Sequence, residues 1–250
     1  MSAKPKIAFF DFTGCEGCQL TVIDALQTHL DLLDAVEIVQ FREAMSELGD
    51  DYQIAFVEGS CTRTGDEARL LAIRERAQLV VALGACAHLG GVNAIRNWQP
   101  LEIVRRYVYG NAGKFHESSA AQPISAIIPV DAVIPGCPID REELVRTVKL
   151  LLQNRRPQLP DYPVCAECKL RENGCVVGDG QPCLGAVTRA GCAAICPSNG
   201  LGCLGCRGLI ADPNINWLKA ALLEHGLDDG AFADAASLFL TYALAEKEAA

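Results

Sequence analysis

Cysteine is the residue that most constrains how this chain can fold. Thirteen cysteines occur in 250 residues, and eight of them lie between Cys165 and Cys206. That stretch consists of short glycine-rich loops with two Cys-x-x-Cys pairs and little apolar periodicity. A segment of this kind buries too few side chains to stay folded alone, so we expect bound metal to help hold it together.

Cysteines in such number usually form disulfides or bind metal. The N-terminal sequence helps to decide between these two uses. Secreted disulfide scaffolds are usually short and start with a signal peptide. The apolar segment Ile7–Phe10 is too short for a signal peptide and is followed directly by Asp11. No apolar run approaches the ~20 residues that span a bilayer. We therefore expect a cytoplasmic chain without a membrane anchor, whose clustered cysteines bind metal.

The charge balance limits the class of partner. Lys and Arg total 22 against 31 Asp and Glu, which gives a net charge of -9. Proteins that bind nucleic acid through its phosphates need a basic surface. Nucleic acid is therefore excluded as the main partner, and other proteins or a small cofactor remain.

Apolar runs alternate with amphipathic segments through the first half of the chain. Strands are predicted at 6–10, 36–39, 54–57, 79–83 and around 127–128. Helices are predicted at 20–33, 65–77 and 142–153, and an exposed loop at 107–122. This alternation predicts an α/β fold with a parallel sheet covered on both faces. In such sheets, ligands bind beyond the carboxyl ends of the strands.

Cysteines follow four of the predicted strands. Cys15 and Cys18 follow the first strand, Cys61 the third, Cys86 the fourth and Cys137 the last. Because the carboxyl ends of parallel strands meet at one edge, these loops are expected to bring their cysteines to one rim. Glycines in these loops would let the backbone approach a bulky ligand closely.

A basic, proline-bearing linker at 155–160 predicts a domain boundary. It divides the chain into a sheet domain, residues 1–156, and a smaller irregular domain, residues 157–250. After the cysteine-rich stretch, helices are predicted at 217–223 and 232–248.

The eight thiols of the second domain are the number that two four-cysteine clusters need. Thiolates are soft ligands that hold iron–sulfur cubanes. A Cys-x-x-Cys pair turns two sulfurs toward one centre, and Cys196 followed by Pro197 is typical of ferredoxin-type motifs. Structural zinc also uses such pairs. Spacing alone therefore leaves a zinc-stabilised interaction module as the alternative.

Several motifs resemble the small subunit of nickel–iron hydrogenases and occur in that family's order. They are Gly14–Cys18, Val57–Gly59, Gly84–Ala87, Pro135–Pro138, Pro182–Cys192 and Cys203–Gly208. The resemblance covers residues 7 to 208 and implies a flavodoxin-like domain followed by an irregular iron–sulfur domain with C-terminal helices. The related cluster subunit of respiratory NADH dehydrogenase resembles the first domain only.

The resemblance also implies three [4Fe–4S] clusters with twelve cysteine ligands. The proximal cluster would take Cys15, Cys18, Cys86 and Cys137; the distal cluster Cys165, Cys168, Cys175 and Cys183; the medial cluster Cys192, Cys196, Cys203 and Cys206. The pair Cys165 and Cys168 stands where some relatives have a His-x-x-Cys pair. Many relatives have three medial cysteines and a three-iron cluster, so Cys196 implies a full cubane here.

By this resemblance the chain is the electron-transfer subunit of a [NiFe] hydrogenase, with no catalytic residue of its own. Electrons would pass between a large subunit that holds the nickel–iron site and a flavin-bearing, NAD(P)-linked subunit. A further iron–sulfur subunit is an additional expected partner. The short form resembles the cytoplasmic bidirectional branch, which includes sulfhydrogenase delta subunits. The heterodisulfide-reductase-linked branch is the alternative.

Residues near the expected clusters leave two interpretations open. Cys61 is left over after twelve ligands are assigned, and it either approaches the proximal cluster or is a small buried side chain. Glu16 and Glu58 either relay protons or make ordinary capping hydrogen bonds. His88 and His116 either tune a cluster through hydrogen bonds or are plain loop residues.

Overall fold

The computed structural model describes residues 4–115, 117–228 and 230–249, without the side chains of 114, 115 and 246–249. The chain divides into two compact units, Met1–Pro157 and Gln158–Ala250, here named unit 1 and unit 2. None of the described helices is long and apolar enough to cross a membrane.

Unit 1 contains a parallel sheet whose strands form at short, continuous apolar runs. The strands are β1 (Lys6–Asp11), β2 (Glu37–Phe41), β3 (Ile54–Glu58), β4 (Leu79–Leu83) and β5 (Ala132–Ile134). Their order is β2-β1-β3-β4-β5, and every neighbouring pair is parallel. Strand β3 is central and buried along its whole length. This is the flavodoxin-like strand order, so the predicted α/β class is confirmed.

Helices cover both faces of this sheet. The helices of unit 1 are α1 (Gly17–Thr28), α2 (Leu30–Ala35), α3 (Asp66–Arg76), α4 (Gly84–Leu89), α5 (Leu101–Tyr109) and α6 (Arg141–Leu152). Phe9 packs in one hydrophobic core with α1 and α6, and Phe10 packs in a second core with α3. Adjacent strand residues point to opposite faces, so β1 contributes to both cores.

Local chemistry fixes the ends of several helices. The Asp140 carboxylate accepts a hydrogen bond from the Glu143 N–H at 2.8 Å and so caps α6. Helix α3 has Asp66 in its first turn and Arg76 in its last, which suits the helix dipole.

The structure differs from the sequence prediction at three places in unit 1. The strand predicted around 127–128 is wrong: the last strand is β5, and Ile128 follows a 3-10 turn and packs into the second core. The predicted helix 20–33 is interrupted at His29, whose backbone is not helical (φ -121°, ψ 64°). The predicted loop 107–122 begins with the end of α5 and continues as a 3-10 turn.

Unit 2 is built from short helices and turns. The helices are α7 (Val164–Leu170), α8 (Ile195–Ser198), α9 (Ile215–Glu224), α10 (Ala231–Ser237) and α11 (Thr241–Ala249). Isolated bridges join Pro163 to Arg189 and Thr188 to Leu209. The helix predicted at 217–223 is present, whereas the segment predicted as one helix at 232–248 forms two.

Candidate metal centres

The cysteine loops of unit 1 meet at the carboxyl edge of the sheet. Cys15 and Cys18 follow β1, Cys86 lies in α4 directly after β4, and Cys137 follows β5. Cys137 and Cys15 are near enough to Cys86 to raise its pKa, and Cys137 and Cys86 do the same to Cys18. Four of the five cysteines that the sequence placed on one rim are therefore neighbours in the structure, whereas Cys61 packs into a hydrophobic core.

Burial is the main reason why three of these thiols, Cys18, Cys86 and Cys137, hold their protons. Burial, followed by the charges of Cys137, Cys15 and Glu58, raises the pKa of Cys86 to about 12. Burial also raises the pKa of Cys18 and of Cys137. Cys18 is buried, whereas Cys15 and Cys137 are exposed. Thiolates at this edge need a cationic centre to offset their charge.

Two glycines leave no room for a side chain beside the sulfurs. A Cβ at Gly84, where φ is +82°, would overlap the Cys18 Sγ. A Cβ at Gly91, where φ is +55°, would lie 2.7 Å from the Cys86 Sγ. Both backbones have a positive φ that favours glycine. Four soft sulfur donors set against bare backbone fit a bulky iron–sulfur cluster.

Two carboxylates lie beside the first cysteine loop. Glu58 is 3% exposed, and its carboxylate accepts hydrogen bonds from the backbone N–H groups of Cys18 (3.0 Å) and Gln19 (2.8 Å). Burial raises the pKa of Glu58. The Gln19 Nε2 donates to Glu16 at 2.6 Å, and burial followed by the charge of Glu58 raises the pKa of Glu16 to about 7. Glu58 thus has a hydrogen-bonding role in the first turn of α1, and a proton relay stays a prediction.

Asn93 joins two loops at this edge and gave no signal in the sequence. Its Nδ2 donates to the Thr13 carbonyl at 2.8 Å and to the Ser60 Oγ at 2.9 Å. Thr13 and Ser60 also exchange two backbone hydrogen bonds, of 3.1 and 2.8 Å. An asparagine in a 3-10 turn has no characteristic pattern, so only the tertiary structure identifies this brace.

The leftover cysteine packs into the hydrophobic core of unit 1. Cys61 belongs to the core that includes Leu70, and its backbone pairs with Gln122. Burial, and then the charges of two nearby carboxylates, raises its pKa to about 12. These contacts favour the small buried side chain over a cluster ligand. His88 is half-buried in the last turn of α4, and His116 lies outside the described residues.

Four cysteines of unit 2 are mutual neighbours. Cys165 and Cys168 lie one turn apart on α7. A Cβ at Gly185 would lie 3.4 Å from the Cys183 Sγ and 3.5 Å from the Cys165 Sγ, so both sulfurs approach this glycine. Burial, followed by the charges of Cys183, Cys168 and Cys175, raises the pKa of Cys165 to about 11. The structure therefore brings together the four cysteines predicted for the distal cluster.

Among the other four cysteines of unit 2, Cys196 and Cys203 lie near Cys183. Burial, and then Cys192 and Cys183, raises the pKa of Cys196. Burial raises the pKa of Cys203 to about 12, with smaller contributions from Cys183 and Cys206. The Cys203 N–H also donates to the Cys183 Sγ at 3.2 Å. Cys183 thus lies beside cysteines predicted for the distal cluster and beside cysteines predicted for the medial cluster. The division into distal and medial ligands stays a prediction.

Within the described ranges, no three His, Cys, Asp or Glu side chains are placed to hold one metal ion.

Known proteins similar to this chain are hydrogenase subunits. The family model described as "NADH ubiquinone oxidoreductase, 20 Kd subunit" matches residues 15–151. The delta subunit of sulfhydrogenase 2 from Pyrococcus furiosus is 39% identical over 221 residues, which are 88% of this chain and 92% of that protein. A vhu subunit of the F420-non-reducing hydrogenase from Methanococcus voltae is 31% identical over 83% of each chain. Because unit 1 ends at Pro157, a match of 221 residues must extend into unit 2.

A chain of a solved hydrogenase structure is similar to part of this chain. A chain in the crystal structure of the NAD+-reducing [NiFe]-hydrogenase in the H2-reduced state is 28% identical, with a TM-score of 0.56. The likeness takes in 96% of that chain but 63% of this one. The remainder of this chain lies outside that likeness.

Proposed function

Because the chain belongs to the family of the NADH ubiquinone oxidoreductase 20 kDa subunit, and because hydrogenase delta and vhu subunits are its relatives, we propose that it is the electron-transfer subunit of a [NiFe] hydrogenase. Its partner is a large subunit that carries the nickel–iron site. One observation carries this proposal: four cysteines from three separate segments of the chain meet at one edge of the sheet, where Gly84 and Gly91 lie directly against two of their sulfurs.

Twelve cysteines hold three [4Fe–4S] clusters in this proposal. The proximal ligands are Cys15, Cys18, Cys86 and Cys137; the distal ligands Cys165, Cys168, Cys175 and Cys183; the medial ligands Cys192, Cys196, Cys203 and Cys206. When bound, such clusters supply one-electron carriers. The first set belongs to the sheet domain, residues 1–156, and the other two to the domain of residues 157–250.

The residues around the sulfurs have two tasks in this function. Cys15 and Cys137 are exposed, so a partner that covers them would exclude water from the proximal ligands. Hydrogen bonds to sulfur help to set cluster potentials. In unit 2 such bonds reach Cys183 from the Cys203 N–H at 3.2 Å and Cys168 from the Asn173 Nδ2 at 3.7 Å.

The NAD(P)-linked arrangement is the first choice for the electron acceptor. The likeness to a chain of an NAD+-reducing [NiFe]-hydrogenase supports this choice. A flavin-bearing NAD(P) subunit and a further iron–sulfur subunit are the partners in this proposal. We place this complex in the cytoplasm. The net charge of -9 is unfavourable for binding nucleic acid.

The likeness to the vhu subunit of an F420-non-reducing hydrogenase supports a second candidate. In it, the chain belongs to the heterodisulfide-reductase-linked branch, and no flavin subunit for NAD(P) is present. Reduction of NADP or NAD by hydrogen, measured with the complex isolated through this chain, separates the two branches. Hydrogen-dependent reduction of an artificial dye without any reduction of NAD(P) favours the second.

Metal and sulfide analysis tests the proposed function directly. Protein purified without oxygen should contain about twelve irons and as many acid-labile sulfides per chain, with paramagnetic signals after dithionite reduction. Cys86→Ser should lose about four irons, whereas Cys61→Ser, a matched change at a buried cysteine in the same unit, should lose none. Zinc in place of iron would reject the hydrogenase function and leave the zinc-stabilised module.

A further inference from the structure

Arg207 is the largest fully buried residue by volume among the described residues, and 1% of its surface is exposed. It follows Cys206 directly. Arginine is almost never fully buried unless its charge is paired. Its position beside a proposed ligand makes it a candidate for tuning that ligand's cluster.

The guanidinium of Arg207 lies against the loop that leads to the next ligand. Its Nε donates to the Ala190 carbonyl at 2.8 Å. A Cβ at Gly191, where φ is +114°, would lie 2.9 Å from the Arg207 Cζ, so the guanidinium packs on the bare Cα of that glycine. Gly191 immediately precedes Cys192. Arg207 therefore connects the segments that carry Cys206 and Cys192.

A carboxylate meets the same loop through its backbone N–H groups. The Glu167 Oε1 accepts from the Gly191 N–H at 2.8 Å, and its Oε2 accepts from the Ala194 N–H at 3.2 Å. Gly191 thus contacts a cationic and an anionic side chain. Substitution of Arg207 therefore removes a positive charge beside Gly191, and substitution of Glu167 removes a negative charge beside the same residue.

We propose that Arg207 is a fixed positive charge that raises the reduction potential of the cluster held by Cys192, Cys196, Cys203 and Cys206. This inference rests on the proposed function. Reduction adds one negative charge to a cluster, and a nearby cation favours the reduced form, more strongly in a buried site than in water. An arginine side chain cannot lose its proton in a protein. Arg207 itself gains and loses no electron or proton, and each electron that enters the chain leaves it again.

Charge-removing and charge-keeping variants of Arg207 test the proposal. Arg207→Gln and Arg207→Lys are compared with wild type as the full chain, purified without oxygen with its co-purifying subunits. Iron is counted, and each cluster is titrated against potential by electron paramagnetic resonance. The signal absent from Cys196→Ala identifies the relevant cluster.

Arg207→Gln should keep its iron, and the reduced-to-oxidised ratio of that cluster should fall about tenfold at fixed potential, or about 59 mV for one electron. Arg207→Lys should stay within about threefold of wild type, since it keeps the charge. Unchanged potentials in Arg207→Gln overturn the proposal, and so does an equal fall in Arg207→Lys. Wild-type protein without iron would instead reject the proposed function.

Glu167→Gln keeps the proposal testable if Arg207→Gln fails to hold iron. Removal of this negative charge from the Gly191 loop should raise the reduced-to-oxidised ratio of the same cluster, opposite in sign to Arg207→Gln. An unchanged or lower ratio in iron-replete Glu167→Gln would show that fixed charge at this loop does not set the potential.

Discussion

Substitution of Gly84 by alanine tests the contact between bare backbone and a proposed cluster ligand. Gly84 begins α4 at φ +82°, and a Cβ there would overlap the Cys18 Sγ. The left-handed backbone costs an L residue ~1–2 kcal/mol. Forcing a methyl group into a packed site costs ~1–3 kcal/mol more. If this second cost arises from displacement of the Cys18 sulfur, the affinity of unit 1 for the proximal cluster falls by ~5- to 140-fold. This range follows from 1.4 kcal/mol for each factor of ten.

The assay is iron and acid-labile sulfide per chain after gel filtration without oxygen. Gly84→Ala should lose about four of about twelve irons, because the eight cysteines of unit 2 are unaffected. Gly226→Ala is the matched control: φ there is +81°, and nothing lies within 4 Å of its Cβ position. The control should carry similar backbone strain and keep all its iron. Full iron in Gly84→Ala, or equal loss in the control, would refute the reasoning.

Three further substitutions test the surroundings of the sulfurs. Glu58→Gln leaves one of the N–H groups of Cys18 and Gln19 without an acceptor, so urea denaturation should show a free energy of unfolding ~1–3 kcal/mol lower; an unchanged value would contradict that contact. Cys196→Ala should retain about eleven irons and show the signal of an oxidised three-iron cluster, whereas full iron would remove Cys196 from the ligands. Burial raises the pKa of Cys61 to about 12, so above pH ~9 the unfolded state loses a proton that the folded state keeps. Unfolding free energy should therefore fall with rising pH in wild type relative to Cys61→Ala, by up to ~1.4 kcal/mol per pH unit; parallel profiles would show an exposed thiol.

The sheet was predictable because central parallel strands are buried on both faces. Such strands require continuous apolar runs, and Leu79–Leu83 is one of them. The last strand was misplaced because a three-residue strand, β5, has no stronger pattern than the apolar pair at 127–128. That pair packs instead against the second core, where Ile128 is 2% exposed. Periodicity over so few residues does not distinguish a strand from a turn.

The rim of cysteines in unit 1 was also predictable, since parallel topology alone brings the ends of β1, β4 and β5 to one edge. The sequence did not indicate how the rim is supported. Asn93 braces two of its loops, and Glu58 reaches the N–H groups of α1 from the end of another strand. These contacts join residues 33 to 80 positions apart, which no local pattern records.

The sequence by itself determined the α/β class, the thiol chemistry and the spacing of the cysteines along the chain. These properties are set by short stretches, because strand burial and Cys-x-x-Cys geometry depend on residues close in sequence. Only the tertiary structure decided that Cys61 joins the hydrophobic core, that Cys183 lies beside both predicted sets of ligands in unit 2, and that Arg207 is buried against Gly191. The burial and the charged surroundings of these residues depend on contacts between segments that are far apart in sequence. Such contacts exist only in the folded chain.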